Sequence, residues 1–493
     1  MDVQVQRRFV IPAPPSQPPC EVPLTVFDLV APTYHVTVLF AFSPPNPTNA
    51  ALVAALEATL PCFPLLTARL VVERQRGRRG PFAVTGRGGG AGALVVEAAV
   101  PSAALADILP LAPSPDLVRL HGALEDAPAP QHVLRVQINR FACGGLVVAS
   151  SASHRVADGY SMSVFHHAWA DAVRRGAGAE LVDHRPIVLP YGPGALAPRR
   201  PPRCEFQHRG PEFLPLAPAT GDDDDAAGTN TTKASAVRVD PSEIANTLLH
   251  YTTDFVAKLK ATAHNRYTTF ETVTAHLWQK ITAARGGAGA PPPTKTSLYV
   301  AVNGRGRLGG TDALPEQGFF GNLVLLAIAE TTARSLTGGS LADAAALVRS
   351  SIRNLDKHYF QSFIDFGALH AGDGEEEEEL EPAVVDEANV LSPDVDSDSW
   401  LHLDFHRLDF GCGGRLVGVL PGKIPQDGVV VLMPSLRKEG GVDAFVALWE
   451  KHAQRLSSIA FTLDSSMRTR AQEPTPHMAG RHPNLSIASN SIL

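Results

Sequence analysis

Between residues 186 and 235 the composition changes abruptly. Pro-rich pieces (PIVLPYGPGALAPRRPPR) give way to Gly221, the run Asp222 to Asp225 and GTNTTK. Such a stretch has no apolar periodicity with which to bury a face, so it connects folded parts rather than forming one. It splits a chain of 493 residues into two halves of similar size, each long enough to hold its own core. The organisation this predicts is an N-terminal domain over 1–185, a crossover over 186–235, a C-terminal domain over 236–465 and a disordered, aperiodic tail over 466–493.

Within each half, strand and helix patterns alternate. Val133 to Asn139 and Gly145 to Ser150 read as paired strands around Cys143-Gly144, a turn predicted to be buried. Ser297 to Val302, Arg415 to Val419 and Gly428 to Met433 are strand-like, whereas Ala51 to Leu60, Ser161 to Ala172, Thr269 to Ala284 and Leu341 to Leu355 have helical spacing. The glycine-saturated stretch at 86–92 separates two Val-rich segments and predicts a hairpin or long turn. Glu375 to Glu379 is a run of like charges and predicts a solvated loop. The class is α/β.

A formal charge of -7 supplies no basic field for a phosphate backbone, so nucleic acid is not an expected partner. Five scattered cysteines without a CxxC pair fit reduced thiols, and no apolar run approaches the ~18 residues a membrane span needs. A cytoplasmic protein with small-molecule partners and no membrane association is the expectation.

The string Ser153-His154-Arg155-Val156-Ala157-Asp158-Gly159 follows a strand and precedes a helix. A histidine at the mouth of a strand is well placed to act as a base, because imidazole titrates near neutral pH and needs only a modest shift to exchange protons there. By itself H-x-x-x-D is a common pattern, and a satisfied structural histidine is the competing reading. A second string far downstream changes the balance: Asp409-Phe410-Gly411-Cys412-Gly413-Gly414, just after Trp400.

His154 with Asp158-Gly159, followed at long range by Asp-Phe-Gly-x-Gly, resembles the plant BAHD family of acyl-CoA-dependent acyltransferases. PLLTARL from Pro64, FACGG from Phe141, FETVTAHLW from Phe270, NGRGR from Asn303, GFFGN from Gly318 and YFQSFIDF from Tyr359 extend the resemblance to about Asp464. One position departs from it: Cys412 stands where the family has Trp, which loosens the expected packing of a loop the family uses structurally.

The resemblance implies a two-domain, chloramphenicol-acetyltransferase-like fold with a channel between the domains and His154 at its centre. His154 would take the proton of the acceptor as it attacks the thioester. Asp158 would turn away and pair with an arginine of the NGRGR segment, with Arg305 and Arg307 both open. Trp400 would offer its indole N–H to the tetrahedral intermediate, against a plain core role. Asp409, Phe410, Gly411 and Gly413 would be structural. Acyl-CoA is implied as co-substrate, with no bound cofactor; Lys258, Thr268 and Thr269 would lie near its phosphates and pantetheine, against a solvated helix face. A monomer is implied as well.

Two further patterns have bland alternatives. Cys143 precedes His154 and invites an acyl-enzyme reading, but its turn favours an inert thiol. His166 and His167 adjoin a helix start, and His402, Asp404 and His406 alternate in a strand-like piece, yet nothing completes a ligand set, so no metal is expected.

The residues YFQSFIDF and LSPDVDSDSW make the sequence similar to the grass members that form hydroxycinnamic acid amides of agmatine, putrescine or tryptamine. From His358 to Trp400 there is no Arg or Lys, and Asp394, Asp396 and Asp398 precede the tryptophan. Like charge would repel a carboxylate acceptor there and draw in an ammonium, against the plainer reading of these acids as the end of a solvated loop. The expected reaction is therefore amide formation, with Asp398 at the acceptor; the resemblance of Thr33 to Val38 to the family's channel strand implies His35 and Thr37 there as well. The alternatives are ester formation on an alcohol or phenol, and a non-catalytic acyl-CoA-binding relative.

Overall fold

Two six-stranded sheets organise the computed structural model of the protein, which describes residues 1–15, 17–71, 81–125, 132–176, 195–215, 237–286, 295–314, 318–370, 380–382 and 389–463. The predicted tail, both acidic runs (Asp222 to Asp225 and Glu375 to Glu379) and much of the crossover lie outside these residues.

The first sheet runs, in space, Gln4–Ile11, Ala93–Val100, Leu134–Phe141, Leu146–Ser153, His35–Phe42 and Leu416–Pro421. Leu134–Phe141 and Leu146–Ser153 pair antiparallel, as their patterns predict, and every residue of the latter is buried. The last strand comes from beyond the crossover and pairs antiparallel with His35–Phe42, so the two halves of the sequence share one sheet. The second sheet runs Val324–Thr331, Thr296–Asn303, Val395–Ser399, Val429–Pro434, Val442–Trp449 and Ile244–Tyr251. Each sheet has its own apolar core, the first including Phe40, Leu56 and Trp169, the second Trp278, Leu298 and Phe363.

Two helices show how local sequence sets these layers. Gly159–Arg175 starts where Asp158 accepts the Ser161 amide at 2.9 Å, and it buries Phe165, His166 and Trp169. Thr269–Arg285 begins in a reciprocal cap between Thr268 and Glu271, and Arg349 adds an ion pair to the same glutamate.

Three expectations need correction. Of the two readings of the glycine-saturated stretch, it is the turn and not the hairpin: Phe82–Thr85 before it belongs to a small third sheet with Cys20–Pro23 and Arg69–Val71, while Ala93–Val100 after it belongs to the first large sheet. Alternating valines report strands but not which strands pair. The Cys143 turn is exposed, because its hydrophobic neighbours lie in the strands on either side, and the thiol accepts the Leu105 amide at 3.3 Å. Residues 402–406 form no strand; Asp404 takes a left-handed φ of 54° and Phe405–Arg407 is a 3-10 turn, which removes the alternation on which a shared His402, Asp404 and His406 face depended.

The described part of the crossover is docked rather than loose. Phe213 and His208 are buried against the helix Lys357–His370, where Ser362 accepts the Glu205 and Phe206 amides and Asp365 binds the Arg199 guanidinium.

Candidate active site

His154 is the first residue after the strand Leu146–Ser153, and its amide donates to the Tyr34 carbonyl at 3.0 Å. Its Nδ1 is buried with no hydrogen-bond partner among the described residues. For Nε2 to accept a proton, Nδ1 must carry one, so the tautomer a base requires leaves a buried N–H.

Asp158, four residues on, is turned away from that ring. Its Oδ1 caps the following helix, and its Oδ2 accepts from Arg305 at 2.7 Å and from the Leu323 amide at 3.0 Å. The choice left open between the two arginines falls to Arg305, which also donates to Ser161 and to the Phe319 and Gly321 carbonyls and stacks 4.6 Å over Tyr160. Arg307 points elsewhere, to the Ile352 carbonyl. Asp158 and Arg305 are an almost dry pair, 2% and 10% exposed, and tie the turn after His154 to the NGRGR segment.

The segment Phe319 to Leu323 grips the same loop from the other side. The Asn322 side-chain amide donates to the His154 carbonyl at 2.7 Å and to Asp28 Oδ1 at 2.9 Å. Asp28 lies on the short helix Val26–Val30, where Thr25 supplies two more donors to its Oδ2; burial pushes its carboxyl above the ordinary range, opposed by these bonds. Asp28 and Asn322 escaped the sequence reading. The GFFGN string marks Asn322, but no local pattern joins it to an aspartate near the N-terminus.

On the strand Val395–Ser399, Val395 and Ser397 are buried, Ser397 against Thr274, and the alternation puts Asp396 and Asp398 on the opposite face. On that face Asp398 lies within electrostatic range of His154. Burial raises both carboxyls; Asp396, with Asp398 beside it, is pushed up to about 7. Asp394 does different work, accepting the Ser297 amide at 2.6 Å where the strands begin. Tyr299 and Ile328 continue the Asp396 face in register across the neighbouring strands.

Trp400 is 5% exposed and packs edge-on against Phe405. Its indole N–H is engaged, donating to Asp398 at 3.1 Å. The donor that the resemblance offers to an oxyanion is thus committed to a carboxylate in this structure.

The Asp409 loop is structural in its geometry. Asp409 accepts the Gly411 amide at 2.7 Å, and Phe410 sits between Phe42 and Trp169 at 5.1 and 5.0 Å. Gly411, Cys412 and Gly413 all take left-handed φ values of 81°, 60° and 86°, so the exposed Cys412 holds a conformation that glycine adopts more readily.

His35 and Thr37 pair in register with Ser153 and Ser151, next to His154. His35 donates from Nε2 to the His132 carbonyl, and burial, with Arg135 nearby, lowers it to about 4; Thr37 donates to Ser151 at 2.9 Å. Among the coenzyme candidates, Lys258 is exposed, Thr269 is half-buried and Thr268 already serves as a helix cap. No group of three or more metal-ligating side chains converges among the described residues, and no helix there is long and apolar enough to cross a membrane.

A mixed two-sheet body, with a histidine at a strand-to-helix turn locked by a buried Asp–Arg pair, defines a CoA-dependent acyltransferase of the two-domain type. The model of the Transferase family matches residues 1–460, and the chain belongs to this family, the BAHD acyltransferases. It is 36% identical over 485 residues to putrescine hydroxycinnamoyltransferase of Oryza sativa subsp. japonica, covering 94% of this chain and 100% of that one. Agmatine coumaroyltransferase-1 of Hordeum vulgare is 34% identical, with 90% and 94% covered. Among solved structures, vinorine synthase superposes with a TM-score of 0.63 at 21% identity, covering 92% of this chain and 96% of that one. TRI101 of F. graminearum, complexed with coenzyme A and deoxynivalenol, gives 0.62 at 17% identity, covering 89% and 97%. These two show the shared fold.

Proposed function

We propose that this protein transfers a hydroxycinnamoyl or related aromatic acyl group from CoA to an amine, forming an amide, with His154 as general base. The observation that carries the amine is Asp398, a half-buried carboxyl within electrostatic range of His154, bonded by the Trp400 indole and with Asp396 on the same strand face. An ammonium entering there finds opposite charge in a low-dielectric site, and an anionic acceptor finds repulsion. Relatives whose names specify putrescine, tryptamine and agmatine point the same way.

An alkylammonium has a pKa of ~10.4 and attacks only after losing one proton to solvent. The neutral nitrogen then adds to the thioester carbonyl while His154 Nε2 takes a second proton. The C–S bond breaks, and the imidazolium returns that proton to the departing CoA thiolate. Asp158 and Arg305 keep the loop in place through these steps. Tyr299, Ala301, Leu326 and Ile328, on the same sheet face as Asp396, offer apolar surface to the substrates' carbon frameworks. His35 and Thr37 flank the acceptor, and Lys258, Thr268 and Thr269 lie toward the coenzyme. The protein is proposed to act as a cytosolic monomer that binds neither nucleic acid nor membranes.

Purified protein is incubated with a matrix of acyl-CoAs and acceptors, and products are identified by mass spectrometry. Amides from cationic amines are expected; esters without amides reject the assignment, and turnover by His154→Ala equal to the parent rejects the base.

A further inference from the structure

We propose that Asp28 and Asn322 are positioning residues for the reaction, forming a clamp that fixes where the His154 imidazole stands and which way its backbone faces. The inference rests on His154 being the base and adds two residues that no reading of the motif includes.

Four observations converge. First, Asn322 spends both amide hydrogens on two acceptors, the His154 carbonyl at 2.7 Å and Asp28 Oδ1 at 2.9 Å, while its own Oδ1 is buried with no partner among the described residues. Leaving an amide oxygen unpaired in a dry site is costly, and the arrangement persists because the alternative is worse. A flipped Asn322 would aim its oxygen at a carboxylate and a carbonyl at once. Asp28 therefore selects the orientation in which the nitrogen faces His154.

Second, Asp28 is itself held rigidly. Its Oδ2 accepts the amide and hydroxyl of Thr25, each at 2.8 Å, and the preceding Phe27 packs against Phe360 and Phe363. Third, Arg155, the residue after His154, donates to the Asp28 and Leu29 carbonyls at 3.2 and 3.1 Å, so the short helix touches the histidine loop from two directions. Fourth, the residue after Asn322 donates its amide to Asp158 Oδ2 at 3.0 Å. Consecutive residues thus hold the two ends of the His154-to-Asp158 turn, and Asp28 orients the one at the histidine end.

Asp158 is committed to Arg305 and cannot orient the imidazole as a triad carboxylate would. The clamp acts instead through the backbone that carries the ring. A displacement of about 1 Å in a reacting group costs on the order of 100-fold in rate.

The test compares Asn322→Ala, Asn322→Ser, Asp28→Asn and the double variant Asp28→Asn/Asn322→Ala with His154→Ala and with Ile281→Ala, a cavity in the second core. For Asn322→Ala, kcat should fall by about 50-fold with KM for acyl-CoA and amine within about twofold, the signature of lost alignment rather than lost binding. Asp28→Asn should lose about tenfold, and the double variant no more than Asn322→Ala, because both act through one bond. Ile281→Ala should lower the thermal midpoint at least as much while kcat stays within about twofold. Additive losses in the double variant, or equal kcat losses in Ile281→Ala, overturn the clamp, as does full activity in a folded Asn322→Ala or Asn322→Ser. If His154→Ala keeps turnover, the base assignment fails instead; if His154→Ala is dead and the clamp variants are fully active, only this inference fails.

Discussion

Trp400 gives its indole N–H to Asp398 at 3.1 Å, and the bond ties the tryptophan to a carboxyl within electrostatic range of His154. The indole thereby fixes the direction of a negative charge rather than waiting for one to develop. Removing an oxyanion donor costs about 100- to 1,000-fold in kcat. Trp400→Phe, which keeps a ring against Phe405 and loses only the N–H, should instead cost less than about tenfold in kcat and raise KM for the amine. Steady-state kinetics with the acyl-CoA saturating and then the amine saturating separate the two.

Asp398 should show its role in the same experiment. A buried charge pair broken on one side typically loses 2–5 kcal/mol, which at about 1.4 kcal/mol per tenfold is a factor of roughly 30 or more. Asp398→Asn should raise KM for a cationic amine by at least that factor and leave KM for acyl-CoA unchanged. A parallel rise in both constants would mean that the substitution disturbs the fold and not the acceptor site.

The two arginines of the NGRGR segment make opposite predictions. Arg305→Ala strands the buried Asp158 carboxylate and should destabilise the protein by about 3–5 kcal/mol, whereas Arg307→Ala removes one bond to a carbonyl and should cost about 1 kcal/mol. Chemical denaturation of both variants checks the contrast. Equal losses would mean that the Asp158 pair contributes no more than an exposed contact.

How much of this was legible beforehand depended on the distance over which each signal acts. The strand read over Gly145 to Ser150 and the helices read over Ser161 to Ala172 and Thr269 to Ala284 follow from periodicity, which is local, though the first ends at Ser153 and the second starts at Gly159 behind an Asp158 cap that the periodicity does not show. The acidity of Asp394, Asp396 and Asp398 was legible, but not the strand that puts Asp396 and Asp398 on one face. Pairing was not legible: nothing near residues 86–92 says that Phe82–Thr85 and Ala93–Val100 join different sheets, or that Leu416–Pro421 crosses into the first. The choice of Arg305 over Arg307, and the meeting of Asp28 with Asn322, are decided by tertiary placement across most of the chain. The Trp400 bond was missed because the resemblance supplies a role for the indole but not the acidic neighbour this sequence puts two residues before it.

Asp396 predicts a pH dependence of stability. Its folded-state carboxyl titrates at about 7, above the ~3.8 of an unfolded aspartate. Below pH 4 both states hold the proton and the group is neutral to folding. As pH rises from 4 to 7 the unfolded chain releases its proton first, so stability falls through that window and stays low above it. At about 1.4 kcal/mol per pH unit the cost reaches at most about 4 kcal/mol. Asp396→Asn should therefore raise the thermal midpoint clearly at pH 8 and hardly at pH 4. An equal gain at both values would show that the charge of Asp396 is not what destabilises the parent.

Cys412 supplies a test that separates the Asp409 loop from the chemistry. It holds φ at 60° between two glycines that are also left-handed, is exposed, and has no part in the packing of Phe410 between Phe42 and Trp169. A side chain in that conformation costs roughly 1–2 kcal/mol relative to glycine, less what glycine loses by making the unfolded chain more flexible, about 0.4–1 kcal/mol. Cys412→Gly should stabilise the protein by up to about 1.6 kcal/mol with kcat and both KM values unchanged, whereas Phe410→Ala should destabilise it by about 3–5 kcal/mol. Differential scanning calorimetry alongside steady-state assays reads both effects. A loss of turnover in a fully folded Cys412→Gly would place this thiol in the reaction, contrary to its exposed position on the loop that precedes strand Leu416–Pro421.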